Sequence, residues 1–378
     1  MIAIKVRLEL DKSPHSNFDS WEDQVTSAGL FGRVLIETGS SNSWSDLVKL
    51  IAGVSGRLDL FVSATELSVP QGIELLNAGA NRIIVPFTFL ADWGAHVPAE
   101  RLLISIDDPA QAQAPAEIDR GQFGWWLRAG RIDVSWRQTA KRQLVIAAPD
   151  AGQGDEWKSP SQLVAVFDEQ AWHENPQQVS SWLFSRLTTD RADGLVPTVI
   201  TDPLGIALGL AYSNAESFAA AVARREGVYW SRSRGGLWIK GETSGSRQRL
   251  LRIDSDCDRD CLRFTVDQLG EGFCHQGTYS CFGADRNLST IVRGIHNKIV
   301  SFDPDSFSRR LAGDPELLAD KLIEEANELL KTSTRADAAW EAADVLYFTL
   351  IGALRSGADL ADVAAELGRR MNRLVRRD

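Results

Sequence analysis

"GRVLIETGSSNSWSDLVKLIAGVSGRLDLFVSA", residues 32–64, reads as strand, helix and strand in succession. "GRVLIET" and "RLDLFVSA" are short apolar runs, and between them "SWSDLVKLIAGV" spaces its apolar residues three and four apart. That spacing stripes one face of a helix, whereas a continuous apolar run of four to eight suits a strand covered on both faces. The alternation goes on with "PQGIELLNAGA", "NRIIVPF", "RLLISID" and "RQLVIAA". Strands alternating with helices imply a parallel sheet, open or barrel-like. We therefore expect residues 1–188 to form an α/β region, a degenerate half-barrel, non-catalytic and supporting dimer assembly. His15, His96 and His173 stand isolated there, and the chain contains neither a P-loop nor a G-x-G-x-x-G dinucleotide pattern.

Composition narrows the function classes. A length of 378 residues allows two or three domains, and a formal net charge of −10 argues against a dedicated nucleic-acid binder. No apolar run reaches the ~20 residues that span a bilayer. The opening "MIAIKVRLELDKS" lacks the apolar core of a secretory signal. The expectation is a cytoplasmic protein without membrane or nucleic-acid partners.

From 189 the texture changes. "TVITDPLGIALGLAYS" and "VYWSRSRGGLWIKGE" read as hairpins around an Asp-Pro-Leu-Gly turn and Gly235-Gly236. Between them "SNAESFAAAVARREG" is a helix, with Ser213 and Glu216 at capping-box spacing and Gly227 suited to its C-cap. With "QRLLRID" and "LRFTVDQLG" these make a mostly-β domain over 189–283. A linker is expected over 284–300, and a helical bundle over 301–378. Asp314 and Pro315 start its first helix as N-cap and N1. Three amphipathic helices have a narrow core, so a partner copy is expected to cover their apolar faces.

All four cysteines lie between 257 and 281. Clustered beside Asp and His in an intracellular chain, they read as a metal site rather than disulfides. In "DSDCDRDC", residues 254–261, an extended backbone would put Asp254, Asp256, Asp258 and Asp260 on one face and Cys257 on the other. Carboxylates suit Mg²⁺ and thiolates suit Zn²⁺. An extended run would also separate Cys257 from Cys261 by about 13 Å, too far for one Zn²⁺. That leaves Cys257, Cys274 and Cys281, either with an open fourth position for catalysis or with His275 closing a structural site.

The preceding hairpin is basic. Arg232, Arg234, Lys240, Arg247, Arg249 and Arg252 face a single carboxylate, Glu242, with Ser231, Ser233, Thr243 and Ser244 interleaved. Such a set suits a phosphate-bearing ligand, and Trp230 and Trp238 beside it suit a nucleoside. "WSRSRGGLWIKGETSG", "DCDRD" and "GFCHQGTYSCFG" closely resemble phosphoribosyl-AMP cyclohydrolase of histidine biosynthesis, from about Asp190 to Gly283. The resemblance implies that zinc-bound hydroxide adds at C6 of the adenine of phosphoribosyl-AMP and opens the ring between N1 and C6. It implies zinc on Cys257, Cys274 and Cys281, and Mg²⁺ on Asp256, Asp258 and Asp260. His275 is a catalytic candidate, and the substrate would lie on Trp230, Ser231, Arg232, Ser233, Arg234, Trp238, Lys240, Glu242, Thr243 and Ser244. It further implies a homodimer with zinc ligands drawn from both subunits. Cys261 occupies a position where the family usually has an apolar residue.

At 100° per residue, Lys321, Glu324, Glu325 and Glu328 fall within an arc of about 100° of one helix. Glu341 and Asp344 lie one turn apart in the apolar "AAWEAADVLYF". Carboxylates in such a helix need compensation, which Mg²⁺ between the two helices would supply. The E-E-x-x-E and E-x-x-D pair resembles the all-α nucleoside-triphosphate pyrophosphohydrolases, and residues 286–370 look like phosphoribosyl-ATP pyrophosphohydrolase. That resemblance implies hydrolysis between the α and β phosphates, with Glu324, Glu325, Glu328, Glu341 and Asp344 as metal ligands and Lys321 offsetting phosphate charge.

The product of the second module is the substrate of the first. The expected protein is thus a bifunctional, nucleotide-binding hydrolase of histidine biosynthesis acting on phosphoribosyl-ATP and then phosphoribosyl-AMP. Two alternatives remain: a housekeeping nucleoside-triphosphate pyrophosphohydrolase with a non-catalytic zinc-stapled β domain, and a zinc-stapled interaction protein.

Overall fold

The computed structural model describes residues 2–8, 18–39, 44–64, 66–106, 123–127, 145–147, 163–283, 287–300 and 305–374. Eight parallel strands open the chain: β1 (Ile2–Leu8), β2 (Arg33–Thr38), β3 (Asp59–Ala64), β4 (Arg82–Pro86), β5 (Leu102–Ile106), β6 (Gly124–Leu127), β7 (Val145–Ala147) and β8 (Leu163–Asp168). They close into a barrel, with β8 returning to β1 where Ala165 faces Ile2. The expected parallel α/β region is present and is more complete than a half-barrel. β7 falls within the expected run "RQLVIAA", whereas β6 has only four residues, too few to show a period in sequence.

Strand periodicity explains the two cores. Ala3, Leu35, Phe61, Ile84, Leu103, Trp126, Val164 and Val166 meet inside the barrel. Their neighbours Ile4, Val6, Val34, Ile36, Leu60 and Val62 point outward into the larger core. There the helix Trp44–Val54 buries Leu47, Leu50, Ile51 and Val54. Toward the strand ends the interior turns ionic: Lys5 Nζ lies 2.7 Å from Asp168 and 3.8 Å from Glu37.

The central region has β9 (Val196–Thr201), β10 (Ala207–Ser213), β11 (Val228–Ser231), β12 (Gly236–Ile239), β13 (Gln248–Ser255) and β14 (Leu262–Gln268). β10, β9, β14 and β13 form one sheet in that order, and β11 pairs with β12 apart from it. The helix Ala215–Arg224 is capped by Asn214, whose side chain accepts from Ser217 N at 2.9 Å, and not by Ser213. Ser213 still belongs to β10 and shares a 2.7 Å hydrogen bond with Thr198. At the other end Arg225, not Gly227, takes the left-handed cap position (φ 54°).

The central region does not begin cleanly at 189. The helix Pro176–Phe184 packs on the helix Ala215–Arg224, with Phe184 and Phe218 rings 5.6 Å apart. Arg252 Nη1 donates to Arg57 O, and Arg225 Nη2 donates to Ser27 O. Barrel and central region thus share one continuous core.

The expected linker contains a helix, Leu288–Val300. Val292 and Ile295, three apart, bury against Leu311, Leu318, Phe348 and Ile351 of the C-terminal module. Arg293 lies over the Tyr279 ring (3.7 Å) and Ser289 donates to Leu204 O, tying this helix to the central region. Helices Phe307–Gly313, Pro315–Leu329 and Arg335–Arg355 follow. The second of these starts on Asp314, which accepts from Leu317 N, with Pro315 next.

The last helix, Leu360–Met371, docks on the base of the barrel. Gly56 (φ 80°) makes that approach possible, because a Cβ there would sit 2.3 Å from Ala365 Cβ. Arg57 pairs with Asp362, and Arg369 donates to Asn77 O. Among the described residues no helix is long and apolar enough to cross a membrane.

Candidate active sites

The aspartate run is not extended. Asp254 closes β13 and is held by Arg252 (2.8 Å) and Arg263 (2.8 Å), so it leaves the acidic face. Residues 256–261 curl: Asp256 N donates to Cys261 O, Cys261 N donates to Asp256 Oδ1, and Arg259 takes φ 69°. Thr188 N pins the curl from outside through Arg259 O. The turn, rather than strand alternation, brings Asp256, Asp258 and Asp260 together, one oxygen of each lying within 4.8 Å of the others. A hydrogen bond to Asp256, then the charge of Asp258, raises Asp260 above the ordinary carboxylate range. Three exposed like charges so close fit a hard divalent cation.

Cys274 and Cys281 sit together on the loop after β14. Cys274 N donates to Thr278 O, Gly277 N to Cys274 O, and Cys281 N to Leu208 O of β10. Backbone donation from Gln276, then the Thr278 hydroxyl, depresses the Cys274 thiol, while burial and the bond to Cys274 push Cys281 up. Lys240 is buried next to them, donating to Ser246 O and Gly272 O; burial depresses it and the two thiols oppose that. His275 is exposed, with Nδ1 4.0 Å from Cys274 Sγ.

Cys257 lies elsewhere. It is exposed on the β13–β14 turn, whereas Cys274 and Cys281 follow the far end of β14. A seven-residue strand separates the two places, roughly 20 Å at ~3.3 Å per residue. Among the described residues, no cysteine joins a group of three ligand atoms within 4.8 Å. Cys261 is half-buried, and burial, then the Asp256 charge, raises its thiol.

Trp230, Ser231, Arg232, Ser233 and Trp238 line one shallow cavity of about 480 Å³ with Leu210, Ala211 and Tyr212. Arg234 Nε bonds Ser231 Oγ at its edge. Glu242, Thr243 and Ser244 are exposed on the turn Gly241–Gly245 and do not line it. Two members escaped sequence reasoning. Tyr212 carries the Arg232 guanidinium 4.0 Å over its ring. Phe273 is buried 6.1 Å from the Trp238 ring and bridges the cavity wall to the thiols. Neither carries a local signal, since both are defined by long-range packing.

In the helical module Glu325, Glu328 and Glu341 converge, each offering an oxygen within 4.8 Å of the others. Glu341 Oε2 is buried with no hydrogen-bond partner among the described residues. Burial, then Asp344, raises Glu325; burial, then Glu328 and Glu325, raises Glu341. Asp344 thus stands close to the trio, whereas Glu324 turns to Lys321 Nζ at 2.7 Å. A stranded buried oxygen among like charges is what a bound divalent cation relieves.

Family models match in two places: phosphoribosyl-AMP cyclohydrolase over residues 209–283 and phosphoribosyl-ATP pyrophosphohydrolase over 289–371. The chain is 34% identical to the histidine biosynthesis bifunctional protein his7 of Schizosaccharomyces pombe, over 88% of this chain and 85% of that one. It is 38% identical to the histidine biosynthesis bifunctional protein HisIE of Deinococcus radiodurans, over 46% of this chain and 87% of the relative. A histidine biosynthesis trifunctional protein of Komagataella pastoris is 42% identical over 81% of this chain, which spans 37% of that longer protein. The chain therefore belongs to the family of bifunctional histidine-biosynthesis hydrolases, in which a phosphoribosyl-AMP cyclohydrolase domain is joined to a phosphoribosyl-ATP pyrophosphohydrolase domain.

Proposed function

We propose that the two modules run consecutive hydrolyses with separate metal sites, the helical module acting first. Water cleaves phosphoribosyl-ATP between the α and β phosphates, giving phosphoribosyl-AMP and pyrophosphate. Water then adds at C6 of the adenine, the N1–C6 bond breaks, and N1 takes the proton. No step is assigned to residues 1–188, which serve as scaffold.

In the helical module Glu325, Glu328 and Glu341, with Asp344 beside them, hold Mg²⁺, and Glu324 is a further candidate ligand. Cations held there would withdraw charge from the phosphates and the attacking water. Lys321 stands one turn from Glu325 and balances the incoming triphosphate.

In the central module Trp230 and Trp238 stack on the purine while Arg232, Ser231 and Ser233 take the phosphate. Cys274 and Cys281 supply two thiolates of a zinc set; Lys240 supplies positive charge beside them. Zinc held by these thiolates would supply an activated water. His275 is placed to move the proton, and Asp256, Asp258 and Asp260 hold Mg²⁺. The separation of Cys257 from the other two thiols within one chain leads us to draw the third ligand from a second copy, making the protein a homodimer.

The observation that carries this reading is the shared wall. Phe273 and Gly209 put the Cys274–Cys281 pair directly behind the tryptophan cavity, with Cys281 Sγ 3.3 Å from where a Gly209 Cβ would be. The test supplies phosphoribosyl-ATP to the purified chain with Zn²⁺ and Mg²⁺ and follows pyrophosphate and the ring-opened product separately. Cys274→Ser should silence ring opening and spare pyrophosphate release; equal loss of both in a folded variant would sink the two-site reading.

A further inference from the structure

The base of the barrel, β13 and the last helix enclose a cavity of about 610 Å³, which shares no lining residue with either acidic cluster or with the thiols. Five guanidinium groups line it: Arg57, Arg82, Arg101, Arg252 and Arg369. The carboxylates nearby are already engaged, apart from Glu100, whose charge reaches Arg82 and Arg101 without pairing with either. Asp362 holds Arg57, Glu366 holds both Arg369 and Arg370, and Asp254 holds both Arg252 and Arg263. Asp59, which lines the cavity, lies 3.4 Å from Arg33.

Arg82 and Arg101 differ from the rest. Arg101 donates to the carbonyls of Asn81, Ala80 and Asn372 at 2.8–3.0 Å, and the charge that opposes its burial comes from the neighbouring Glu100. Arg82 Nη1 is buried with no hydrogen-bond partner among the described residues. Neither makes an ion pair within 4.0 Å among the described residues. Burial depresses both, and the Arg101 charge adds to the effect on Arg82. The facing helix lines the cavity with the small residues Ala361, Ala364, Ala365 and Gly368 and with Arg369.

A half-buried cation with no ion pair within 4.0 Å is costly, and a planar fork matches a phosphate in two hydrogen bonds. We propose that this cavity is a binding site for a phosphate-bearing anion, with Arg82 and Arg101 as its principal ligands. Bound there, the anion joins the barrel base to the last helix of the pyrophosphohydrolase module and to β13. Two sources share that chemistry: a free phosphoanion such as the pyrophosphate released by the chain, or the phosphate of a nucleotide.

The full chain without added divalent cations is titrated calorimetrically with inorganic pyrophosphate and, separately, with AMP. Wild type should bind at least one of them saturably, with a dissociation constant below about 1 mM that rises with added salt. Arg82→Met should weaken that binding at least tenfold, while Arg335→Met, at an exposed arginine that lines neither cavity, should leave it in place. Because Arg82 Nη1 bonds nothing internal, Arg82→Met should stay folded; Arg82→Lys, which keeps the charge and loses the fork, is the second variant and should weaken binding less. The same anion should raise the melting temperature of wild type and not of Arg82→Met. Preference for pyrophosphate identifies a free phosphoanion, and preference for AMP identifies a nucleotide. Absence of saturable binding up to about 10 mM, or equal binding by wild type and both Arg82 variants, overturns the proposal.

Discussion

Mixing two inactive variants tests the shared zinc set most sharply. Cys257→Ser and Cys274→Ser each remove one thiolate, and each alone should abolish ring opening. The two residues stand at opposite ends of the β13–β14 hairpin, roughly 20 Å apart within one chain, so a single metal with ~2.3 Å bonds cannot take both from one subunit. In a two-fold dimer each site then combines Cys257 of one copy with Cys274 and Cys281 of the other. Unfolding and refolding the variants together would make about half the dimers hybrid. In each hybrid one site carries both lesions and the other carries none. Ring opening should therefore recover to about one quarter of wild type, with one intact site in half of the dimers. Pyrophosphate release should be the same in both variants and in the mixture, which controls for refolding yield. Full loss in the mixture, with hybrids demonstrated by mass, would place all ligands of each zinc within one chain and refute the reasoning.

Four further outcomes are expected. Glu341→Gln removes one oxygen of the helical trio, so pyrophosphate release should fall by at least about 100-fold, beyond the effect of a supporting residue, while ring opening persists; because a repelling charge also goes, the metal-free variant should melt no lower than wild type, and a lower melting temperature would contradict the stranded oxygen. Gly209→Ala places a Cβ 2.2 Å from the buried Phe273 ring and 3.3 Å from Cys281 Sγ, so bound zinc and ring opening should drop together about tenfold or more; wild-type zinc content would exclude the shared wall. Starting the chain at 186 strips the helix Pro176–Phe184 from the helix Ala215–Arg224 and bares Phe218, so that fragment should aggregate; a soluble, fully active fragment would show that the barrel and the central region are independent. Arg369 and then Arg370 hold Glu366 at about 2, a depressed carboxylate whose stabilisation is complete above pH 4.5 and is lost as pH falls through about 2; hydrogen exchange of residues 360–371 should quicken over that window, and unchanged exchange would exclude the pair as an anchor.

The sequence revealed what depends on local pattern. β2 to β5 and their helices were legible because apolar runs and helical stripes alternate cleanly between 32 and 106. The two hairpins and the Asp314–Pro315 helix start were legible because turn and cap residues act within four positions. Barrel closure was not: β7 fell within "RQLVIAA", but β6 is too short to carry a period. The helix inside the expected linker was missed because "LSTIVRGIHNKIV" buries only Val292 and Ile295, a stripe that gains meaning only against Leu311 and Ile351. The three aspartates were recognised for the wrong geometric reason: alternation suggested a strand face, and a curl closed by Asp256 and Cys261 brings them together. Phe273 and the arginine cavity left no local trace, because each exists only where distant segments meet.

Two separate deficits within one chain point toward the same second copy. The last helix is spent largely on the barrel base through Arg57, Asp362 and Ala365 and touches the core of the bundle it follows through Leu360. Leu330 and Trp340 are left 84% and 71% exposed, with Ile323 also in solvent. Aromatic and aliphatic side chains in that state favour burial by roughly 1.5–3 kcal/mol each, and a second copy of the same face is a self-complementary way to provide it. The zinc set proposed for the central module is short of something different, a third thiolate beside Cys274 and Cys281, since Cys257 lies on the β13–β14 turn. An apolar face and a metal shell have unrelated chemistry, yet a two-fold axis that answers one can answer the other. If the axis serves both, Trp340→Glu should lower zinc retention in the distant central module as the dimer dissociates, measured by zinc content against protein concentration. Monomers that keep a full complement of tightly held zinc would separate the two deficits and remove the dimer from the catalytic argument.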